Sequence, residues 1–291
     1  MLLGTLEAGG TKMVMGLADA DCHIIKRESC PTRLPEETLA DIIAFFEPHK
    51  IDALGIATFG PVDLRPSSAS FGSIINTPKL AWRNFPLYRR LKEALQVPCA
   101  IDTDVNGAAL AEARMGAVKG LENCVYFTVG TGIGGGVLSD GRLVHGMIHP
   151  EWGHTPIARH PEDPLTRGIC PYHENCAEGL AAGPSMQARW GVPAQELPEG
   201  HFAWELEAYY LAQLCITAMM TVSPERIVLG GGVMGRSSLY PMVREKANQL
   251  LGGYLASPTP EEMEAFIVPP ALWPDSGLIG GALLAKDLLK A

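Results

Sequence analysis

Apolar runs separated by short polar or glycine-rich turns dominate the start of the chain. Residues 2–6 and 13–18 are apolar, and the turn between them reads Glu7-Ala8-Gly9-Gly10-Thr11-Lys12. After a polar turn at residues 19–21, a third apolar run covers residues 22–25. Runs of this length bounded by turn residues are typical of strands, so the pattern predicts a meander whose first turn is rich in glycine.

A helix and another strand follow, and the same order of elements returns later in the chain. Residues 36–46 have a helical pattern, and residues 51–58 predict a strand that runs into Phe59-Gly60-Pro61. The second half offers a strand at 125–129, a glycine turn at 130–136, an extended stretch at 137–138, a helix at 206–221 and a strand at 227–229 that leads into Gly230-Gly231-Gly232. This order predicts a duplicated α/β unit with a cleft between the copies.

Length and charge narrow the class of protein. A chain of 291 residues is long enough to split into two lobes, with one large domain as the alternative. Hydrophobic residues make up 47% of it and charged residues 19%, which argues against disorder. The net charge of −9 offers no general basic face for nucleic acid, although a local basic patch is compatible with it. We therefore expect no nucleic-acid partner.

The N-terminus, the apolar stretches and the cysteines indicate neither export nor a membrane span. No basic segment precedes Glu7, which stands where a signal peptide needs its apolar run. The longest apolar stretch, residues 209–222, is too short for a span of about 20 residues and predicts a buried helix. Seven cysteines are too few and odd in number for a disulfide framework. We expect a cytoplasmic protein that has no contact with a membrane.

The glycine turns have two interpretations. They can be tight hairpins, because glycine accepts positive φ at little cost. Alternatively, their backbone N–H groups can approach and bind phosphate. Neither hairpin turn fits a P-loop, which opens a helix, because Thr11-Lys12 leads into the extended pattern of Met13-Val14-Met15. A dinucleotide-binding fingerprint is also absent from the sequence. Three such turns, each after a strand, favour phosphate binding.

Four motifs in order carry a resemblance to a known family. They are Glu7-Ala8-Gly9-Gly10-Thr11-Lys12, Thr128-Val129-Gly130-Thr131-Gly132, Glu151-Trp152-Gly153-His154 and Leu229-Gly230-Gly231-Gly232. Together they resemble the ROK family of sugar kinases and sugar-responsive regulators, over essentially the whole chain. Cys170-Pro171-Tyr172-His173 and Thr77-Pro78-Lys79 are most similar to the bacterial fructokinase branch.

The resemblance implies a fold and a set of ligands. The fold would be the α/β actin/hexokinase-like (ribonuclease H-like) ATPase fold, two-lobed, with duplicated βββαβα units. Residues 1–116, completed by a C-terminal helix at 276–291, would form the first lobe. Residues 117–275 would form the second, with a zinc loop and a dimer surface. ATP and Mg²⁺ would bind between the lobes, a hexose at the cleft floor, and the protein would be a homodimer.

Asp104 is the candidate catalytic base. It lies between a strand predicted at residues 97–101 and a helix predicted from Gly107 to about Met115. From the residues alone, Asp104 or Asn106 could equally cap that helix. The resemblance implies that Asp104 accepts the proton of the attacking sugar hydroxyl, a role that suits a carboxylate in phosphoryl transfer. The helix N-terminus would keep this carboxyl group ionised.

The resemblance also implies contacts with the sugar and the nucleotide. Residues 149–154 are dense in hydrogen-bonding side chains, which a hexose needs, although Glu178 alone would suit a helix N-terminus. Glu7 replaces the usual Asp and could hold a water of Mg²⁺ or be a solvated turn residue, while Lys12 is either a phosphate contact or a surface cation. The implied sugar contacts are Asn76, Asp104, Glu151, His154 and Glu178. The implied nucleotide contacts are Glu7, Gly9, Gly10, Thr11, Lys12, Thr131, Gly132, Gly231, Gly232 and Met234.

A cluster of metal-binding residue types lies within a loop rich in Pro and Gly. Cys170, His173 and Cys176 are spaced by two residues each, and His154 would complete the four ligands of a structural zinc site. The family pattern has a Cys at the position of Tyr172, so His173 is a departure from it. Such a zinc would hold the loop so that His154 and Glu178 face the sugar. The alternative is free thiols beside a surface His, and we expect the other five cysteines to be packed or inert.

Two classes of function follow from the resemblance. The first is an ATP-dependent hexose kinase, most simply D-fructose to fructose 6-phosphate, with mannose, glucose or an N-acetylated amino sugar as alternatives. The second is a non-catalytic sugar-sensing regulator, which would carry a helix-turn-helix segment ahead of the first glycine turn. Here that turn begins at Glu7 and Asp104 is present, so the kinase is the favoured hypothesis.

Overall fold

The computed structural model describes residues 1–290, which fold into two compact units. Unit 1 contains Met1–Met115, Leu143–Pro150 and the described residues from Leu272 onwards, and unit 2 contains Gly116–Arg142 and Glu151–Ala271. Gly116, expected in the first lobe, lies in unit 2, and residues 143–150 and 272–275, expected in the second lobe, lie in unit 1. The first of these segments is attached there by its side chains, since His145 and His149 both hydrogen bond within unit 1.

Unit 1 is built on a five-stranded mixed sheet of order β3-β2-β1-β4-β5, in which β1, β4 and β5 are parallel. Its elements are β1 (Leu3–Ala8), β2 (Lys12–Ala18), β3 (Ile24–Pro31), α1 (Pro35–Phe46), β4 (Ala53–Thr58), α2 (Leu87–Leu95), β5 (Cys99–Thr103) and α3 (Asp104–Met115). The helix that returns to this unit from the end of the chain, Ser276–Leu288, is described below as α9.

The core of unit 1 follows from strands that are buried on both faces. Every residue of β4 is buried, as expected for a central parallel strand that helices cover. Phe46 of α1 and Leu87 of α2 pack in the core with Ile56. Burial of each such side chain contributes about 1.5–3 kcal/mol. The interior of the sheet is therefore well specified by its apolar sequence.

The third strand lies further along the chain than the apolar pattern predicts. Cys22 has φ 66° and belongs to a turn in which Asp19 Oδ1 accepts hydrogen bonds from the N–H groups of Asp21 and His23. The strand itself, β3, is an edge strand with an exposed face that includes Lys26 and Glu28. A charged, exposed edge strand lacks the apolar run that a sequence search detects, which explains the shift.

Unit 2 repeats this topology with a sheet of order β10-β9-β6-β7-β8, in which β6 pairs antiparallel with β7 and parallel with β9. Its elements are β6 (Cys124–Val129), β7 (Ile133–Ser139), β8 (Arg142–Leu143, at the boundary with unit 1), α4 (Ala177–Ala181), α5 (Gly183–Trp190), α6 (Ala203–Thr221), β9 (Arg226–Gly230), α7 (Leu239–Leu251), α8 (Met263–Phe266) and β10 (Ile267–Val268); α9 (Ser276–Leu288) then belongs to unit 1. Among residues 1–290, no helix is both long and apolar enough to cross a bilayer.

Candidate active site

Asp104 occupies the first helical position after β5. Thr103 Oγ1 accepts a hydrogen bond from the N–H of Asn106 at 3.1 Å, so Thr103 caps α3 and neither Asp104 nor Asn106 does. The helix consequently begins three residues earlier than the expected Gly107. Asp104 Oδ1 accepts a hydrogen bond from the N–H of Val105 at 2.9 Å. The carboxylate therefore lies within the first turn of a helix, where the helix dipole favours its ionised form.

Glu7 forms a second acidic group of unit 1, beside Asp104. Burial raises the pKa of Glu7 to about 7, and the negative charge of Asp104 adds to this, while Lys12 and Arg27 oppose it. Glu7 also packs against Gly277 of α9, because a Cβ at that glycine would lie 2.7 Å from Glu7 Cδ. Glu7 is thus not the solvated turn carboxylate that was one of its two interpretations. Two neighbouring carboxyl groups of this kind provide oxygen ligands for a hard cation such as Mg²⁺.

The turn between β1 and β2 is closed by its own backbone. The N–H of Gly9 donates to the carbonyl of Lys12 at 3.0 Å, and Thr32 Oγ1 donates to the carbonyl of Gly9 at 2.7 Å. A Cβ at Gly9 would lie 2.7 Å from the Lys12 carbonyl oxygen, which explains the glycine. Within residues 1–290, the N–H groups of Gly10 and Thr11 have no acceptor. These two groups are available to phosphate oxygens.

The corresponding turn of unit 2 is linked to Glu178. Glu178 Oε2 accepts a hydrogen bond from the N–H of Ile133 at 3.0 Å, and a Cβ at Gly132 would lie 2.6 Å from the same oxygen. Gly130 accepts a hydrogen bond from Gly183 at the start of α5 at 2.8 Å. Thr131 is exposed at the tip of the turn. Glu178, a predicted sugar contact, thus fixes the turn that contains Gly132, a predicted nucleotide contact.

Glu151 and Glu178 form a pair of acidic side chains in unit 2. Burial raises the pKa of Glu151 to about 7, and the negative charge of Glu178 adds to the effect. Glu151 precedes a short 3₁₀ turn, Trp152–His154, in which Gly153 packs directly on the backbone of Ile133. Two adjacent carboxyl groups can accept hydrogen bonds from several hydroxyl groups of one polyol, which is the chemistry a sugar site needs.

The predicted metal ligands come together. The candidate ligand atoms of His154, Cys170, His173 and Cys176 lie within 4.8 Å of one another. His154 Nδ1 is 3.8 Å from each thiol sulfur, and His173 Nδ1 is 3.6 Å from Cys170 Sγ. Zn–S bonds near 2.3 Å and Zn–N bonds near 2.0 Å place neighbouring ligands of a tetrahedral site about 3.3–3.8 Å apart, so the cluster fits Zn²⁺.

The last glycine turn borders a cavity of about 450 Å³. Gly231 has φ 94°, and a Cβ there would overlap the backbone of Val129, so only glycine fits. Gly232 lines the cavity with Trp204 and Arg236, whose guanidinium carbon lies 4.1 Å from the indole centroid. Met234 is buried beside the turn and is not among the residues that line the cavity. The sequence did not identify Trp204 or Arg236, because neither belongs to a motif.

Each unit brings part of the predicted set together. In unit 1, Glu7 and Asp104 are neighbours at the glycine hairpin, while Asn76 is exposed on the loop between β4 and α2. In unit 2, Glu178 links Glu151 to the β6–β7 turn, and it lies on α4, whose N-cap is Cys176. Unit 1 thus offers free backbone donors beside an acidic pair, and unit 2 offers an acidic pair beside a zinc-type cluster. Backbone donors and carboxylates are the kinds of group that phosphoryl transfer to a hydroxyl group uses.

Duplicated βββαβα units, each with a glycine turn after its first strand, define the class of actin/hexokinase-like proteins. Within this class the chain belongs to the ROK family, whose family model matches residues 3–288. A fructokinase of Zymomonas mobilis subsp. mobilis is 44% identical over 98% of this chain and 96% of its own length. A fructokinase of Pediococcus pentosaceus is 40% identical over 100% of this chain and 99% of its own length.

Solved structures agree with this assignment. The crystal structure of a ROK hexokinase from Thermus thermophilus has a TM-score of 0.79 and 29% sequence identity, covering 100% of this chain and 99% of that chain. A ROK family glucokinase from Streptomyces griseus, solved with glucose and AMPPNP, has a TM-score of 0.78 and 23% identity, covering 99% and 100%. The predictions of the fold class and of the family are confirmed.

Proposed function

We propose that the chain is an ATP-dependent hexose kinase that converts D-fructose to fructose 6-phosphate. The observation that carries the proposal is the position of Asp104 in the first turn of α3, beside Glu7 and the glycine hairpin. Relatives at about 40% identity over the full chain are named fructokinases, which favours fructose among the hexoses. A sugar-sensing role without catalysis is less consistent with the paired carboxyl groups.

Asp104 acts in this proposal as the base for the attacking hydroxyl. A carboxylate at a helix N-terminus stays ionised and orients the hydroxyl group toward the phosphorus atom. Mg²⁺, when bound, supplies neutralisation of the phosphate charge. Glu7 would contact it directly or through one of its waters. The N–H groups of Gly10 and Thr11 donate to phosphate oxygens, with Lys12 on the same turn.

The remaining nucleotide contacts lie in unit 2. Thr131 and Gly132 would approach phosphate from the β6–β7 turn, and Gly231 would do so from the turn after β9, where the next residue, Gly232, lines the cavity. Met234, which is buried beside that turn, is the last of the proposed nucleotide contacts. A cavity of about 450 Å³ is in the range of small-molecule sites, which supports it as the place for the nucleobase.

Glu151, Glu178, His154 and Asn76 bind the sugar in this proposal. The Glu151–Glu178 pair would accept hydrogen bonds from two or more hydroxyl groups, and His154 would use the ring nitrogen that does not face the thiols. His154, Cys170, His173 and Cys176 would hold zinc in a structural role. Four protein ligands would leave no coordination position for substrate.

An assay of ADP release tests the proposed activity across a panel of sugars. The panel contains fructose, mannose, glucose, N-acetylglucosamine and N-acetylmannosamine, each with ATP and Mg²⁺, and Asp104→Asn is the matched control. We expect the highest kcat/KM with fructose and a kcat about two to four orders of magnitude lower in the control. Absence of turnover on every sugar contradicts the kinase proposal, and a clear preference for another sugar contradicts only the choice of fructose. We also propose a homodimer, which sedimentation equilibrium tests.

A further inference from the structure

Asp102 lies two residues before the proposed base and is the centre of a hydrogen-bond network. Its side chain is buried, and Oδ1 accepts hydrogen bonds from Asn106 Nδ2 at 2.7 Å and from the N–H of Thr103 at 2.8 Å. Its other oxygen, Oδ2, lies 2.8 Å from Nε2 of His145. Asp102 thus joins the end of β5, the first turn of α3 and the segment Leu143–Pro150.

Asp102 sets the orientation of Asn106 within this network. The Oδ1 atom of Asn106 is buried without a hydrogen-bond partner among residues 1–290, so only its Nδ2 holds the amide in place. The N–H of Asn106 is bonded to Thr103 Oγ1. Thr103 and Asn106, which lie on either side of Asp104 in the chain, are therefore both held in place by hydrogen bonds. A carboxylate that accepts several hydrogen bonds is a rigid attachment point for such a turn.

His145 completes the network from a segment that has its own attachment. The N–H of Val62 donates to His149 Nε2 at 3.2 Å, and a Cβ at Gly60 would lie 3.0 Å from the same ring. The side chain of His145 is 39% exposed, so it contributes little to the core of unit 1. The hydrogen bond to Asp102 raises the pKa of His145. Its main contact is therefore polar and directed at Asp102.

We propose that His145 and Asp102 are positioning residues that hold the β5–α3 turn and so place the carboxylate of Asp104 for catalysis. The inference rests on the proposed function, in which Asp104 is the base. Displacement of a reacting group by about 1 Å can reduce turnover about 100-fold. Loss of the His145–Asp102 hydrogen bond is expected to lower kcat while the KM for ATP stays unchanged, because no nucleotide contact is altered.

His145→Gln and His145→Asn both introduce an amide group, but the Gln side chain is longer by one methylene group. The amide nitrogen of Gln can occupy the place of Nε2, while that of Asn corresponds to Nδ1 and falls short of Asp102. We expect His145→Asn to reduce kcat about 10- to 100-fold and His145→Gln to stay within about threefold of the wild type. Asp102→Asn should reduce kcat similarly, and its effect should not add to that of His145→Asn in the double variant.

Hydrogen exchange read by mass spectrometry supplies a second measurement that needs no activity. A peptide across β5 and the start of α3 should exchange faster in His145→Asn than in His145→Gln or the wild type. Wild-type kcat in His145→Asn, additive effects in the double variant, or a change confined to the KM for ATP would overturn the proposal. If the wild type phosphorylates no sugar, the proposed function fails, and equal exchange in all three proteins refutes the positioning of the turn separately.

Discussion

Two buried acidic residues of unit 2 should respond in opposite ways when the carboxyl group is replaced by an amide. Asp163 Oδ1 accepts from Arg189 Nε at 2.8 Å, Oδ2 accepts from Arg189 Nη2 at 2.9 Å, and Oδ2 also accepts from the hydroxyl group of Tyr210 at 2.5 Å. The paired side chains of Arg189 and Asp163 are 1% and 0% exposed. Glu207 of α6 is also buried, but neither of its oxygens has a hydrogen-bond partner in the described part of the chain.

The pKa values of the two acids move in opposite directions. Burial raises the pKa of Asp163, but the hydrogen bonds from Arg189 and Tyr210 outweigh burial and lower it. Burial raises the pKa of Glu207 well above its usual value, and Arg189 offsets only part of this. An acid whose pKa is lower in the folded protein than in the unfolded chain stabilises the fold at pH values above its unfolded pKa. This stabilisation is lost as the pH falls toward the folded pKa. A raised pKa of an acid has the opposite sign, so Glu207 destabilises the fold increasingly as pH rises above about 4.5.

We therefore expect Asp163→Asn to be strongly destabilising at pH 7 and Glu207→Gln to be neutral or stabilising. Removal of one partner of a buried ion pair leaves an uncompensated charge and costs about 3–5 kcal/mol. At about 2–4 °C per kcal/mol this corresponds to a fall in Tm of roughly 6–20 °C. Glu207→Gln retains the shape of a side chain that is already neutral, so its Tm should not fall.

Calorimetric melting of both variants from pH 5 to pH 8 tests this reasoning. The advantage of Glu207→Gln over the wild type should grow with pH, because the wild-type carboxyl group must stay protonated in the folded protein. Equal losses of Tm in the two variants, or a loss below about 1 kcal/mol in Asp163→Asn, would refute the assignment of charge to Asp163 and neutrality to Glu207.

Three further results are expected. Asp104→Asn should reduce kcat by about two to four orders of magnitude at unchanged Tm, and retained activity in the fructose assay would remove its role as base. Cys176→Ser should lower zinc, measured by elemental analysis, well below one per chain, while Cys215→Ser in α6 should leave it unchanged; equal zinc in both contradicts the metal site. Gly55→Ala should destabilise unit 1 by about 1–3 kcal/mol in urea unfolding, because its Cβ would overlap a backbone carbonyl of α9, whereas Gly200→Ala, with open space around it, should match the wild type.

Features of local spacing could be predicted from the sequence. The glycine turn at residues 9–10 and the metal cluster at Cys170, His173 and Cys176 each lie within a few residues of chain. Functional groups that are a few residues apart can be recognised from the sequence, because the covalent chain already keeps them close in space. The structure brings these groups together as predicted, and His154 joins them from sixteen residues upstream of Cys170.

Features that depend on distant partners could not be predicted. His145 lies 43 residues from Asp102, and Arg189 lies 26 residues from Asp163, so neither pair has a spacing that marks it. The start of α3 was also missed, because Thr103 Oγ1 caps the helix and Thr is not distinctive in a strand sequence. Such contacts arise from the packing of separate elements and carry no local signal.

The position of Glu178 follows from attachments at both ends of one short helix. Cys176 caps the N-terminus of α4 by accepting from the N–H of Gly179 at 3.3 Å, and it is also a member of the metal cluster. At the other end, Arg189 Nη2 donates to the carbonyl of Leu180 at 2.9 Å while it pairs with Asp163. A helix of five residues has little stability of its own, so these attachments hold it. Because Glu178 also bonds Ile133, the metal cluster and the buried ion pair both act on the geometry of the β6–β7 glycine turn.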